Sequence, residues 1–125
     1  MRFKILVVED NADTRELLHF YFTSAGFTVV TAVDGSEGIY MATAEQPDVI
    51  LSDLSMPNMS GIEMIKHLRS QPETATIPIL VCTAHGNETT EEAIQAGANQ
   101  ALYKPFDFDA LVEIVHNLVE KADES

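Results

Sequence analysis

The chain reads as an α/β domain: five parallel strands in one sheet, with helices on both faces. Short runs rich in Val, Ile and Leu alternate five times with amphipathic helical patterns, as strands buried on both sides and their crossover helices do. No linker, low-complexity tract or composition break interrupts that alternation over 125 residues. Residues 1–125 are therefore expected to form a single domain, large enough for a real core.

The strands are expected at about Lys4–Val8, Thr28–Ala32, Val49–Ser52, Ile79–Thr83 and Ala101–Tyr103, and only the second alternates with polar residues. Asn11 is a good N-cap for a first helix running to Ala25 and stopped by Gly26, with Leu17, Leu18, Tyr21, Phe22 and Ala25 as its core face. A second helix follows Asp34-Gly35-Ser36 and continues to about Glu45, before Pro47. The third, about Gly61–Ser70, should turn Ile62, Ile65 and Leu68 inward. The fourth spans about Glu88–Ala96 and closes on Gly97. The last, about Asp107–Lys121, repeats Ala110, Leu111, Ile114, Val115 and Leu118 at helical spacing. Right-handed crossovers place such helices on both faces, and ligands bind beyond the carboxyl ends of the strands where the order reverses. The economical order is 2-1-3-4-5, which sets strand one beside strand three.

Seven basic against twenty acidic residues give a net charge of −13. Such a chain repels phosphates, so direct nucleic-acid binding is not expected. No apolar run approaches the roughly 18–20 residues of a membrane span, and the first one is too short for a secretory signal. A cytoplasmic protein without membrane contact is expected. Cys82 is alone inside Ile79-Leu80-Val81-Cys82, which excludes a disulfide framework and reads as a small buried hydrophobe.

Three strands end on residues that a buried strand rarely tolerates. Glu9-Asp10 follows strand one, Asp53 follows strand three, and Lys104-Pro105 follows strand five. Singly, each has a plain explanation: acids at a helix N-terminus, a turn residue, a solvated lysine, and for Thr83 a β-branched strand residue. In the predicted sheet they meet at one edge. Three carboxylates there call for a hard divalent cation, and Mg²⁺ suits carboxylate, carbonyl and water oxygens. Asp53 could then act as a nucleophile toward phosphorus, with the Lys104 ammonium and the Thr83 hydroxyl toward the phosphoryl oxygens.

Val7-Val8-Glu9-Asp10-Asn11, Asp53 with Met56-Pro57 and Gly61, Thr83-Ala84 and Lys104-Pro105-Phe106 together resemble the receiver domain of two-component response regulators, over essentially the whole chain. The resemblance implies a flavodoxin-like (βα)5 fold and a phosphorylation-dependent signalling switch. Asp53 would be the phosphoacceptor, supplied by a histidine kinase or histidine phosphotransfer protein. Asp10 would bind Mg²⁺ directly, Glu9 through water, and Ser55 through its backbone carbonyl. Lys104 would pair with Asp53 at rest and with phosphate afterwards, and Lys104-Pro105 would be a cis peptide. Thr83 would move toward the phosphate and draw the Ala84 loop and helix four with it. Ser55 and His85 would flank the phosphoryl group and set its lifetime, whereas His19, His67 and His116 should be solvated.

Such a protein catalyses only its own phosphorylation and dephosphorylation and signals to an output protein. The alternative is an aspartyl-phosphate hydrolase of small substrates, but Glu9-Asp10-Asn11 lacks an Asp-x-Asp pattern and no segment is free to form a cap. An FMN binder would want a Ser/Thr/Gly-rich loop where the acids stand.

The chain departs from the family in places. Many receivers have Tyr or Phe three residues before the lysine, a position held here by Ala101; the nearby aromatic is Tyr103, and Pro105 leaves its face open. Phe20 lies about 130° from the core stripe of helix one at roughly 100° per residue. The last helix carries Asp109, Glu113 and Glu120 against Lys121, which argues for a monomer rather than a dimer through paired acids and bases. The acidic end Ala122-Asp123-Glu124-Ser125 reads as a solvated tail of a stand-alone receiver.

Overall fold

The computed structural model describes residues 2–54, 56, 59–83, 87–104 and 107–124, with backbone alone at 87–89 and 123–124. The elements run β1 (Lys4–Val8), α1 (Ala12–Ser24), β2 (Thr28–Ala32), α2 (Gly35–Glu45), β3 (Val49–Asp53), α3 (Gly61–Ser70), β4 (Ile79–Thr83), α4 (Asn87–Ala96), β5 (Gln100–Tyr103) and α5 (Phe108–Glu124). All strands pair in parallel, in the order β2-β1-β3-β4-β5. The expected flavodoxin-like fold is therefore observed.

The apolar runs do not alternate because the sheet has a core on each side. Leu6, Val8, Ile50, Ile79 and Val81 pack with Met64, Ile65, Leu68 and Ala93 of α3 and α4. Their strand neighbours Ile5, Val7, Val49, Leu51, Leu80 and Cys82 pack with Leu18, Phe22, Leu111 and Val115 of α1 and α5. Successive side chains thus serve opposite layers, and both layers need hydrocarbon. The edge strands β2 and β5 are less buried, which explains the polar alternation of the second run.

Short polar side chains start the helices. Asn11 Oδ1 accepts the Thr14 amide at 2.9 Å, the expected cap. Asp34 Oδ1 accepts the Glu37 amide at 2.8 Å, while Glu37 Oε1 reaches back to the Val33 amide at 3.0 Å. Ser60 Oγ accepts the Glu63 amide at 3.2 Å. Gly61 then brings α3 hard against the end of β3: a Cβ there would lie 2.6 Å from the Asp53 carbonyl oxygen.

Several expectations are corrected. Leu17 is 48% exposed, because the buried stripe of α1 centres on Leu18 and Phe22. In α3, Met64 joins Ile65 and Leu68 in the core, and Ile62 is only partly buried against it. Ala110 is exposed, and Val119 completes the Leu111–Val115 stripe of α5. His116 is half-buried against the Phe27 ring, 4.8 Å between centroids, rather than solvated. Helix α5 continues to Glu124, so Ala122, Asp123 and Glu124 belong to a helix rather than to a free tail.

Candidate functional site

Strand alternation places the site. Glu9 lies two residues beyond Val7 and Asp53 two beyond Leu51, so both carboxylates continue the face that packs on α1 and α5, past the last apolar residue. Because β1 and β3 are neighbours, the two acids meet. One oxygen from each of Glu9, Asp10 and Asp53 can lie within 4.8 Å of the others. Like charges about 5 Å apart repel by roughly 3 kcal/mol at an effective dielectric near 20.

Lys104 answers part of that repulsion. It follows β5 and reaches across β4, placing Nζ 3.2 Å from Asp53 Oδ2 and 3.5 Å from Glu9 Oε1. Burial alone would lower the pKa of the ammonium, but the charges of Asp53 and then Glu9 outweigh it, and the pKa is raised. Glu9 is buried among these groups, and burial is the main reason its carboxyl is pushed up. The Asn11 amide, at 3.0 Å from Oε2, and Lys104 pull it back, while Asp53 and Asp10 push it further up.

The backbone under the acids is fixed. The Glu9 amide donates to the Ala32 carbonyl at 3.0 Å. Arg15 Nη1 donates to the Glu9 carbonyl at 2.9 Å and lies 3.5 Å from that of Asp10. Arg15 escaped notice in the sequence because a cation in the first turns of a helix is ordinary; its place, one turn after the Asn11 cap, was the available signal. Gly61 also proves to be a site residue through its approach to Asp53.

Three clustered carboxylates, two of them paired to Lys104, suit a hard divalent cation by the chemistry of the donor set. Glu9 and Asp53 are oriented by Lys104, while Asp10 is exposed. Thr83, fully buried, ends β4 at the same sheet edge, and its carbonyl accepts the Lys104 amide at 2.8 Å. Ser55, Ala84, His85 and Pro105 lie outside the described residues. Cys82, in register with Asp53, is buried as expected.

Tyr103 is in register with Thr83, so it shares that residue's face of the sheet, and its phenol oxygen lies 3.2 Å from Thr90 Oγ1 on α4. Ala101 sits on the same face one pleat earlier, packed at the margin of the α3–α4 core.

The family model of the response regulator receiver domain matches residues 5–116. An uncharacterised 14.6 kDa protein of Leptolyngbya boryana is 37% identical over 112 residues, 89% of this chain and 86% of that one. The DNA-binding dual master transcriptional regulator RpaA of Synechocystis sp. is 34% identical over 121 residues. That alignment takes in 96% of this chain but 50% of RpaA, so the chain spans about half the length of that relative. Among solved structures, the chemotaxis protein CheY4 of Vibrio cholerae superposes with a TM-score of 0.89 at 34% identity, over 94% of this chain and 99% of that one. With the strand order, the acid cluster and its lysine, these matches show that the chain belongs to the receiver domain family of two-component response regulators, which are phosphorylation-dependent signalling switches.

Proposed function

We propose that Asp53 is the phosphoacceptor of this switch and that residues 1–125 act as one receiver domain. The observation that carries this is the Lys104 ammonium held at 3.2 Å from Asp53 and 3.5 Å from Glu9 within the three-carboxylate cluster. An Asp53 carboxylate oxygen attacks the phosphorus of a phosphohistidine on a kinase or phosphotransfer protein. The P–N bond breaks, and the imidazole leaves with its electron pair and takes a proton. Glu9, Asp10, Asp53 and the Ser55 carbonyl would hold Mg²⁺ there, and its charge would let an anionic nucleophile meet an anionic phosphoryl group.

Lys104 transfers its charge from the carboxylate to the new phosphoryl oxygens. Thr83 offers its hydroxyl from the neighbouring strand end. Ser55 and His85 govern how quickly water removes the group. The protein thus catalyses only its own phosphorylation and dephosphorylation, and an output protein reads the altered surface. A net charge of −13 supports a partner other than nucleic acid. Among the described residues no helix is long and apolar enough to cross a membrane, which fits a cytoplasmic place of action; the acids of α5 support a monomer.

Incubation with Mg²⁺ and acetyl phosphate should add one phosphoryl group by intact mass. The gain should vanish in Asp53→Asn or with chelator. No gain under any of these conditions would refute the assignment.

A further inference from the structure

Lys104 directly follows Tyr103, the last residue of β5, and the two work on opposite faces of the sheet. The lysine reaches Asp53 on the α1–α5 side, whereas the phenol oxygen lies 3.2 Å from Thr90 Oγ1 on α4. The peptide between them is gripped by β4, where Tyr103 is in register with Thr83 and the Lys104 amide donates to the Thr83 carbonyl at 2.8 Å. A displacement that moves the Lys104 backbone therefore carries Tyr103 with it.

The ring also has somewhere to go. Tyr103 is 47% exposed and borders an open hollow of about 600 Å³ lined by Thr90, Ile94 and Ala101 among others. Ala101 offers only a methyl group on the face where a larger side chain would fill that space. The Tyr103–Thr90 hydroxyl contact is long and part-buried: Thr90 is buried, but the phenol side is open to water.

We propose that Tyr103 is the positioning residue through which the state of the Asp53–Lys104 pair reaches α4. With the pair closed, the phenol rests against Thr90. When the pair opens, Lys104 shifts, the phenol leaves Thr90, and the ring turns into the hollow over Ala101, releasing the N-terminal half of α4. The physiological trigger rests on Asp53 being phosphorylated; the dependence on the ion pair does not.

The test uses the full chain with 3-fluorotyrosine at Tyr21, Tyr40 and Tyr103, read by 19F NMR and assigned with Tyr103→Phe. In Asp53→Asn, which opens the pair without phosphate, the Tyr103 resonance should shift by more than its linewidth while that of Tyr40 stays. Thr90→Val should move the resting Tyr103 resonance in the same direction. Ala101→Leu, which fills the hollow, should suppress the shift caused by acetyl phosphate and Mg²⁺ without altering the mass gain. An unmoved Tyr103 resonance in both Asp53→Asn and mass-verified phosphoprotein would overturn the proposal. A shift in Asp53→Asn with no mass gain in the wild type would support it and refute the phosphoacceptor assignment instead.

Discussion

Arg69 bolts the end of α4 to the rest of the molecule through Gly97. Its Nε donates to the Gly97 carbonyl at 3.0 Å, at the negative end of the α4 dipole. Nη1 donates to the Ala75 carbonyl and Nη2 to Asn99 Oδ1, each at 3.0 Å, and Asn99 Oδ1 also accepts the Ile79 amide at 2.9 Å. Gly97 has φ +126°, and a Cβ there would meet the Arg69 stem at 2.6 Å, so the contact needs glycine. This fixes the far end of α4, opposite Thr90.

Arg69→Met should cost about 2 kcal/mol, since it strips three segments of one shared planar donor. The melting temperature by circular dichroism should fall by about 8 °C. Arg69→Lys should recover only part of this, because an ammonium cannot reproduce the fork. Wild-type stability in Arg69→Lys would show that charge alone accounts for the contact.

Glu9 gives a pH dependence with a definite sign. Its folded pKa lies above the ordinary 4.5, so the native state binds that proton more tightly than the unfolded chain. The stability this lends is complete below about 4.5 and is lost as pH rises through the raised folded value. At pH 7 without divalent metal, Glu9→Gln should therefore melt above wild type. The difference should shrink toward pH 4. Added Mg²⁺ should stabilise wild type more than Glu9→Gln. Calorimetry showing Glu9→Gln less stable than wild type at pH 7 with chelator would contradict the burial argument.

The Cys82 thiol is pushed up to about 12, chiefly by burial, with Lys104 opposing and Asp53 and Glu9 reinforcing the rise. Its thiolate is absent at ordinary pH. A thiol-disulfide reagent at pH 8 should leave the native protein unmodified for hours and titrate one thiol in urea. Rapid native labelling would mean that the layer between β4 and α1 opens readily.

The sheet was legible because buried parallel strands and their crossovers impose a hydrophobic rhythm that survives without any contact information. The acid site was legible because Glu9, Asp10, Asp53 and Lys104 stand at strand ends, where charge is conspicuous. The Arg69 clamp was not, since its acceptors are mostly backbone carbonyls, which every residue has, and Gly97 and Asn99 lie 28 and 30 residues away. The face taken by Tyr103 depended on whether β5 stays regular up to Lys104, which Pro105 obscured. The continuation of α5 through Ala122-Asp123-Glu124 was not legible because an acidic end suits a solvated tail as well as a helix, and none of the three residues breaks a helix.

Phe20 is an exposed aromatic with a rigid backing. It is 63% exposed and stands edge-on to Tyr21, with centroids 5.6 Å apart, while Tyr21 stacks flat on Phe108 at 4.4 Å. Leu17, one turn earlier on α1, is also exposed. The two form an apolar pair on the helix that begins directly after the acid cluster, where a histidine-bearing donor has to approach. Aromatic anchors of this kind often dominate a small interface. Phe20→Ala should slow phosphotransfer from the cognate donor about tenfold, equivalent to about 1.4 kcal/mol, and leave the rate with acetyl phosphate unchanged. The melting point should barely move, because the ring is outside the core. If both donors slow equally in stopped-flow or mass-resolved time courses, Phe20 acts on the fold or on the acid site and not on donor docking.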